Sequence, residues 1–161
     1  LPAALVGQAV AQVVFRDLAE AAASGRALSG LLKRAVLVLA ALSIVPFGVL
    51  ALWGGPLFAL VFGAPWLGAG EIAANLAPYF AAAFIVGPAF MVPMVIGRQR
   101  ASFLFVLCGV IVNLAVFAAV YVAGRDAMLA FRVMAVVMTL YFAAYLAWVF
   151  RLLRLRERSD V

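Results

Sequence analysis

Histidine is absent, cysteine occurs once, and charged residues fill only 11% of the 161 positions. Without histidine, and with Cys108 alone, the chain can form neither an internal disulfide nor a Cys/His metal centre. Cys108 lies in an apolar run, where a small, soft side chain serves packing. The acids are Asp17, Glu20, Glu71, Asp126, Glu157 and Asp160, all in connections, tails or helix ends. No general acid–base pair can be drawn from them, so no catalytic residue, metal site or cofactor is assigned and no enzyme is expected. The scarcity of charge also excludes a water-facing surface. A soluble domain carries about 25% charged residues. Here 70% of residues are hydrophobic and mean hydropathy is +1.24, so the outside must face lipid or apolar protein. The net charge of +6 is clustered between long apolar runs. That is the pattern of the positive-inside rule, and it points to a bilayer rather than nucleic acid.

What is present is a succession of uncharged stretches. Residues 1–15 are uncharged but too short to cross about 30 Å of hydrocarbon, which takes about 20 helical residues. They read as the end of a truncated helix, and the chain as a piece of a longer protein. Residues 16–34 carry both charge signs and read as an amphipathic cytoplasmic connection, with Leu18, Ala22, Leu28, Leu31 and Leu32 as its apolar members and its residues from Arg26 on expected to run straight into the first span. Four spans follow, at 35–53, 72–97, 101–124 and 127–150, the last holding one charge, Arg132. The segment 54–70 is a Gly/Pro-rich apolar connection, and Glu71 is expected to open a helix, where its charge suits the dipole. Residues 151–161 form a basic tail. Runs apolar at every position fit helices, since barrel strands alternate. The expected fold is all-α: a polytopic transmembrane bundle of four complete spans and the end of a fifth.

Lys and Arg in alternate connections number ten on one side and two, Arg125 and Arg132, on the other. The ten-residue side, including the tail, is therefore expected in the cytoplasm, in a multi-pass inner-membrane protein. Trp53, Trp66 and Trp148 fall near span ends, where indole favours the interface. Pro46, Pro78, Pro88 and Pro93 lie inside spans. They read either as the ordinary tolerance of membrane helices for proline or as bends used in a transport cycle.

The candidate site residues are polar groups at membrane depth. Gln8 and Gln12 share one helix face, as do Asn75 and Tyr79, and Asn113 is mid-span. Such groups either hydrogen-bond between helices or line a cavity. Arg132 lies about one turn inside the fourth span. It either snorkels to the outer interface or faces a cavity and holds an anionic group such as phosphate. Arg98-Gln99-Arg100 forms a basic cytoplasmic turn that acts as topology signal and contact for anionic lipid.

Three stretches stand out in order: Gly7-Gln8-Ala9 with Val14-Phe15-Arg16-Asp17-Leu18-Ala19, then the run from Pro56 to Gly70 containing Phe62-Gly63-Ala64-Pro65-Trp66, and Gly97-Arg98-Gln99-Arg100. Together they resemble bacterial polysaccharide-biosynthesis flippases of the multidrug, oligosaccharidyl-lipid and polysaccharide exporter superfamily. Arg16 stands where the family has proline. The resemblance implies two lobes around a cationic cavity, of which this chain would be most of the second. It also implies an undecaprenyl-pyrophosphate-linked oligosaccharide as substrate, moved by alternating access. Arg132 would then meet the pyrophosphate, with Gln8, Gln12, Asn75 and Asn113 lining the cavity. Arg98 and Arg100 would stand at its cytoplasmic mouth, and polysaccharide polymerases or glycosyltransferases would be partners. Two alternatives are a drug or cation exporter of the same superfamily, which would need cavity carboxylates, and a non-transporting membrane subunit of a glycan-assembly complex.

Overall fold

A backbone in hydrocarbon must pair its own N–H and C=O groups, and these uncharged runs do so as helices. The computed structural model describes residues 16, 20 and 28–159, without the side chains of 158 and 159, and no strand occurs among the described residues. Its helices are α1 (Leu28–Phe62), α2 (Leu67–Val86), the short α3 (Val92–Val95), α4 (Gln99–Val122) and α5 (Ala127–Ser159). One-turn 3₁₀ segments at Ala64–Trp66 and Gly87–Phe90 lead into and out of α2. Four helical segments are long and apolar enough to cross a membrane. The shortest, α4, has 24 residues and rises about 36 Å, against about 30 Å of hydrocarbon. The molecule is thus an all-α bundle of multi-pass membrane type. The expected end of a fifth helix, residues 1–15, lies outside the described residues.

The helices form a row, with α1 packed on α2, α2 on α5, and α5 on α4. The core is small and lies toward one end. Leu28 and Leu32 of α1, Val86, Ala89 and Val92 around α3, and Tyr145, Val149 and Leu153 of α5 make one buried cluster. Elsewhere large apolar side chains point outward, among them Leu60 at 82% exposure and Ile44 and Val45 at 70%. Water would not tolerate so continuous an apolar exterior, whereas lipid does.

Several boundaries differ from those read off the charges. Helix α1 begins at Leu28, seven residues before the first uncharged run, and continues into it without a break, with Leu28 and Leu32 buried against α5. It also continues nine residues beyond Trp53, but with a break. Trp53 leaves helical geometry (φ −129°, ψ 17°). Pro56 explains this, because its ring crowds the carbonyl of Leu52 one turn back and it has no N–H to donate. The Gly/Pro-rich segment is therefore largely helical, and its glycines serve contact rather than flexibility. Gly54 and Gly70 are buried face to face. A Cβ on Gly54 would stand 2.6 Å from the Gly70 oxygen and 2.9 Å from the Ala74 Cβ. Because Gly68 and Gly70 lie within α2, Glu71 stands one turn inside the helix rather than opening it.

The second uncharged run is interrupted after Val86 by the 3₁₀ segment and α3, where the buried Pro88 and Pro93 each lack an amide donor. Gln99 and Arg100 already belong to α4, so the basic turn is shorter than its charges suggest. Left-handed glycines, Gly97 (φ 72°) and Gly124 (φ 61°), close the turns before α4 and α5.

Candidate functional site

Alternating helix directions bring the charged residues to two ends. Ser29 of α1 meets Glu157 of α5, and Arg98 lines a cleft with Arg156, so these residues share one end with Lys33, Arg34, Arg100, Arg151 and Arg154. Gly54, Gly70, Asn75 and Arg132 mark the other end, near Arg125.

At this second end Arg132 of α5 reaches sideways to α2. Its Nε donates to Asn75 Oδ1 at 3.0 Å. The Asn75 amide nitrogen in turn donates to the Glu71 backbone carbonyl at 2.7 Å and lies 3.3 Å from Met128 Sδ. The amide oxygen is therefore fixed toward the arginine, since its nitrogen is occupied by a carbonyl that can only accept. These residues line a cleft of about 600 Å³ with Gly54, Gly55 and Glu71. A guanidinium has five N–H donors. One is used here, and the remaining four have no protein partner among the described residues.

Depth makes the arrangement notable. Centring the run 127–150 on about 30 Å of hydrocarbon puts the Arg132 backbone about 5 Å inside its edge. A cation at that depth is costly unless it is paired or meets water. Glu71 lines the same cleft, with no ion pair to Arg132 among the described residues. The sequence reading assigned no carboxylate to a cavity, because Glu71 was placed at a helix start rather than a turn within one.

A second cavity, of about 360 Å³, lies between α2, α4 and α5. Tyr79, Phe90, Phe105, Tyr141, Phe142 and Tyr145 supply its walls. Phe90 stacks on Tyr145 with centroids 4.5 Å apart, and Tyr79 on Phe142 at 5.7 Å. Tyr145 shares a hydrogen bond with Ser102 at 3.2 Å, and Tyr141 donates to the Phe105 carbonyl, so both hydroxyls have partners despite their depth. Asn113 lines this cavity without a side-chain hydrogen bond among the described residues. Ser43 and Thr139 bond back to carbonyls of their own helices, at Ala40 and Ala135.

The structure thus joins Asn75 to Arg132 and leaves Asn113 in a different cavity. Arg98 lines a cleft at the opposite end, Arg100 is exposed beside it, and Gln8 and Gln12 lie outside the described residues. Glu71 and Met128 were not singled out as site residues. Met128 and Arg132 are one turn apart on α5, the only sequence-level sign that they share a face. Comparison with known proteins finds no matching family, no matching curated protein and no matching solved structure.

Proposed function

We propose that the chain is part of a membrane carrier that moves an anionic, lipid-linked oligosaccharide across a bacterial inner membrane by alternating access, with its basic end in the cytoplasm. The observation that carries this reading is Arg132, set inside a span on a 600 Å³ cleft with four N–H donors unpaired among the described residues. Guanidinium presents those donors in a fork that matches phosphate oxygens, and the low dielectric around it strengthens each bond. Asn75 contributes by orienting the guanidinium rather than by neutralising it. The undecaprenyl-pyrophosphate carrier is the substrate class implied by the sequence resemblance, and a pyrophosphate would suit such a fork. No covalent step is required of the chain.

Glu71 on the same cleft favours one second reading, a cation exporter of the same superfamily in which the carboxylate meets the substrate. Three variants of the full-length protein separate them, with surface glycan and cationic-dye efflux measured in cells at matched protein level. For the anionic substrate, Arg132→Ala lowers export at least tenfold, Arg132→Lys retains part of it, and Glu71→Gln leaves it unchanged or raises it. Unchanged export in Arg132→Ala would overturn the assignment. Loss of cationic-dye efflux in Glu71→Gln, with surface glycan unchanged in every variant, would favour the cation exporter.

A further inference from the structure

The cavity between α2, α4 and α5 takes no part in the carrier reading. Its volume of about 360 Å³ falls within the range of about 300–1,000 Å³ for small-molecule sites. Among the described residues lining it none is charged, and six are aromatic. Tyr79 stacks on Phe142 and Phe90 on Tyr145, so the wall is already built of ring faces. The hydroxyls of Tyr141 and Tyr145 are bonded within the bundle. The Asn113 amide, on α4, has no such partner among the described residues. Val106, Val110 and Leu114 of α4 line the same cavity and are 48–65% exposed, so its rim opens on the side of the bundle.

Depth and lining together select the ligand. Centring the runs 101–124 and 127–150 on the hydrocarbon puts Asn113 and Met138, both on the cavity, within about 1 Å of the midplane. An ion at that depth needs a countercharge, and the cavity offers none, so its ligand is neutral. A saturated acyl chain would fill the space but leave the Asn113 amide bare, which is costly in an apolar medium. A flat ring bearing a carbonyl answers both demands. Its face lies against the aromatic walls in the offset geometry that π-systems favour, and its oxygen accepts from the Asn113 N–H. We propose that this cavity binds one neutral, planar, carbonyl-bearing ring of the quinone class, with Asn113 as its hydrogen-bond donor. The proposal rests on the membrane placement of the bundle and not on what the carrier moves.

The test uses full-length protein in detergent, with duroquinone as the probe and protein-free detergent as the blank. Durene, a ring with the same methyl groups and no carbonyl, and tetraphenylphosphonium, a lipophilic cation, are the comparators. Binding is measured by equilibrium dialysis, and the fold of each variant is checked by its thermal midpoint. The site predicts one duroquinone per chain, bound about tenfold more tightly than durene. Asn113→Leu brings duroquinone down to the level of durene and leaves durene unchanged. Val110→Phe, which sets a ring in the open rim, weakens both, whereas Ile44→Phe on the exposed face of α1 weakens neither. The proposal is overturned if duroquinone fails to bind, if durene binds as tightly, or if tetraphenylphosphonium binds more tightly. It is equally overturned if either Asn113→Leu or Val110→Phe, folded by its midpoint, binds duroquinone as the parent does.

Discussion

Asn75 and Arg132 limit each other. With its amide nitrogen tied to the Glu71 carbonyl, Asn75 can offer Arg132 only an oxygen, and that bond ties the arginine of α5 to α2 on the wall of the cleft. Asn75→Leu is therefore expected to lower export nearly as far as Arg132→Ala. In that background Arg132→Ala should cost little more, a coupling that a double-mutant cycle on export rate measures directly. Full additivity of the two would show that they act separately. The sequence made both residues visible as polar groups within apolar runs, but it gave no sign that the two would meet. Their meeting depends on which helix lies beside α5, and residues 57 positions apart give no local sign of it. Arg156 escaped notice for the same reason. It reads as one of several tail cations until the bundle sets it on one cleft with Arg98.

Among the elements, the α1–α2 pair shows how a residue type can be recognised and its use misjudged. Gly54, Gly68 and Gly70 read as part of a Gly/Pro-rich apolar connection, because glycine and proline usually mark one. In the bundle Gly54 and Gly70 instead let two backbones touch, as small residues do between membrane helices. Gly70→Ala is expected to destabilise the α1–α2 contact by about 1–3 kcal/mol, seen as a lower thermal midpoint in detergent. Gly68→Ala should be harmless by comparison, since nothing lies within 4 Å of where its Cβ would stand. Gly109 on α4 is a milder case, with the edge of Tyr141 3.0 Å from its added Cβ. The tyrosine ring can shift there, whereas the Gly54 backbone cannot. The spans themselves were legible because hydropathy is a property of the run. The breaks at Trp53 and after Val86 were not, because proline fixes where a donor is missing but not whether the helix tolerates it.

For the whole molecule the dominant feature is the division of charge between two ends about 36 Å apart, taking Arg132 to Arg156 along α5. If the basic end is cytoplasmic, a cysteine placed at Arg125 in a Cys108→Ala background should react with a membrane-impermeant maleimide in intact cells. One placed at Arg154 should react only after permeabilisation. The reverse pattern would invert the orientation and put Arg98 and Arg156 outside. This experiment is simple because the chain has a single cysteine to remove.

The bond between Ser29 and Glu157 also bears on the order in which the molecule is made. Both Glu157 oxygens cap the start of α1, at 3.0 Å from the Ser29 nitrogen and 2.8 Å from its hydroxyl, across 128 residues of chain. The Gly54–Gly70 contact joins adjacent helices and can form as soon as those two have entered the membrane. The cap must wait until α5 has been synthesised through its last turns. Replacing Glu157 by Gln should cost about 0.5–2 kcal/mol, the range for losing a helix cap. The first turn of α1 should then exchange its amide hydrogens faster while the α1–α2 crossing stays protected. On this geometry the clasp closes last, and its formation records that all four spans have arrived.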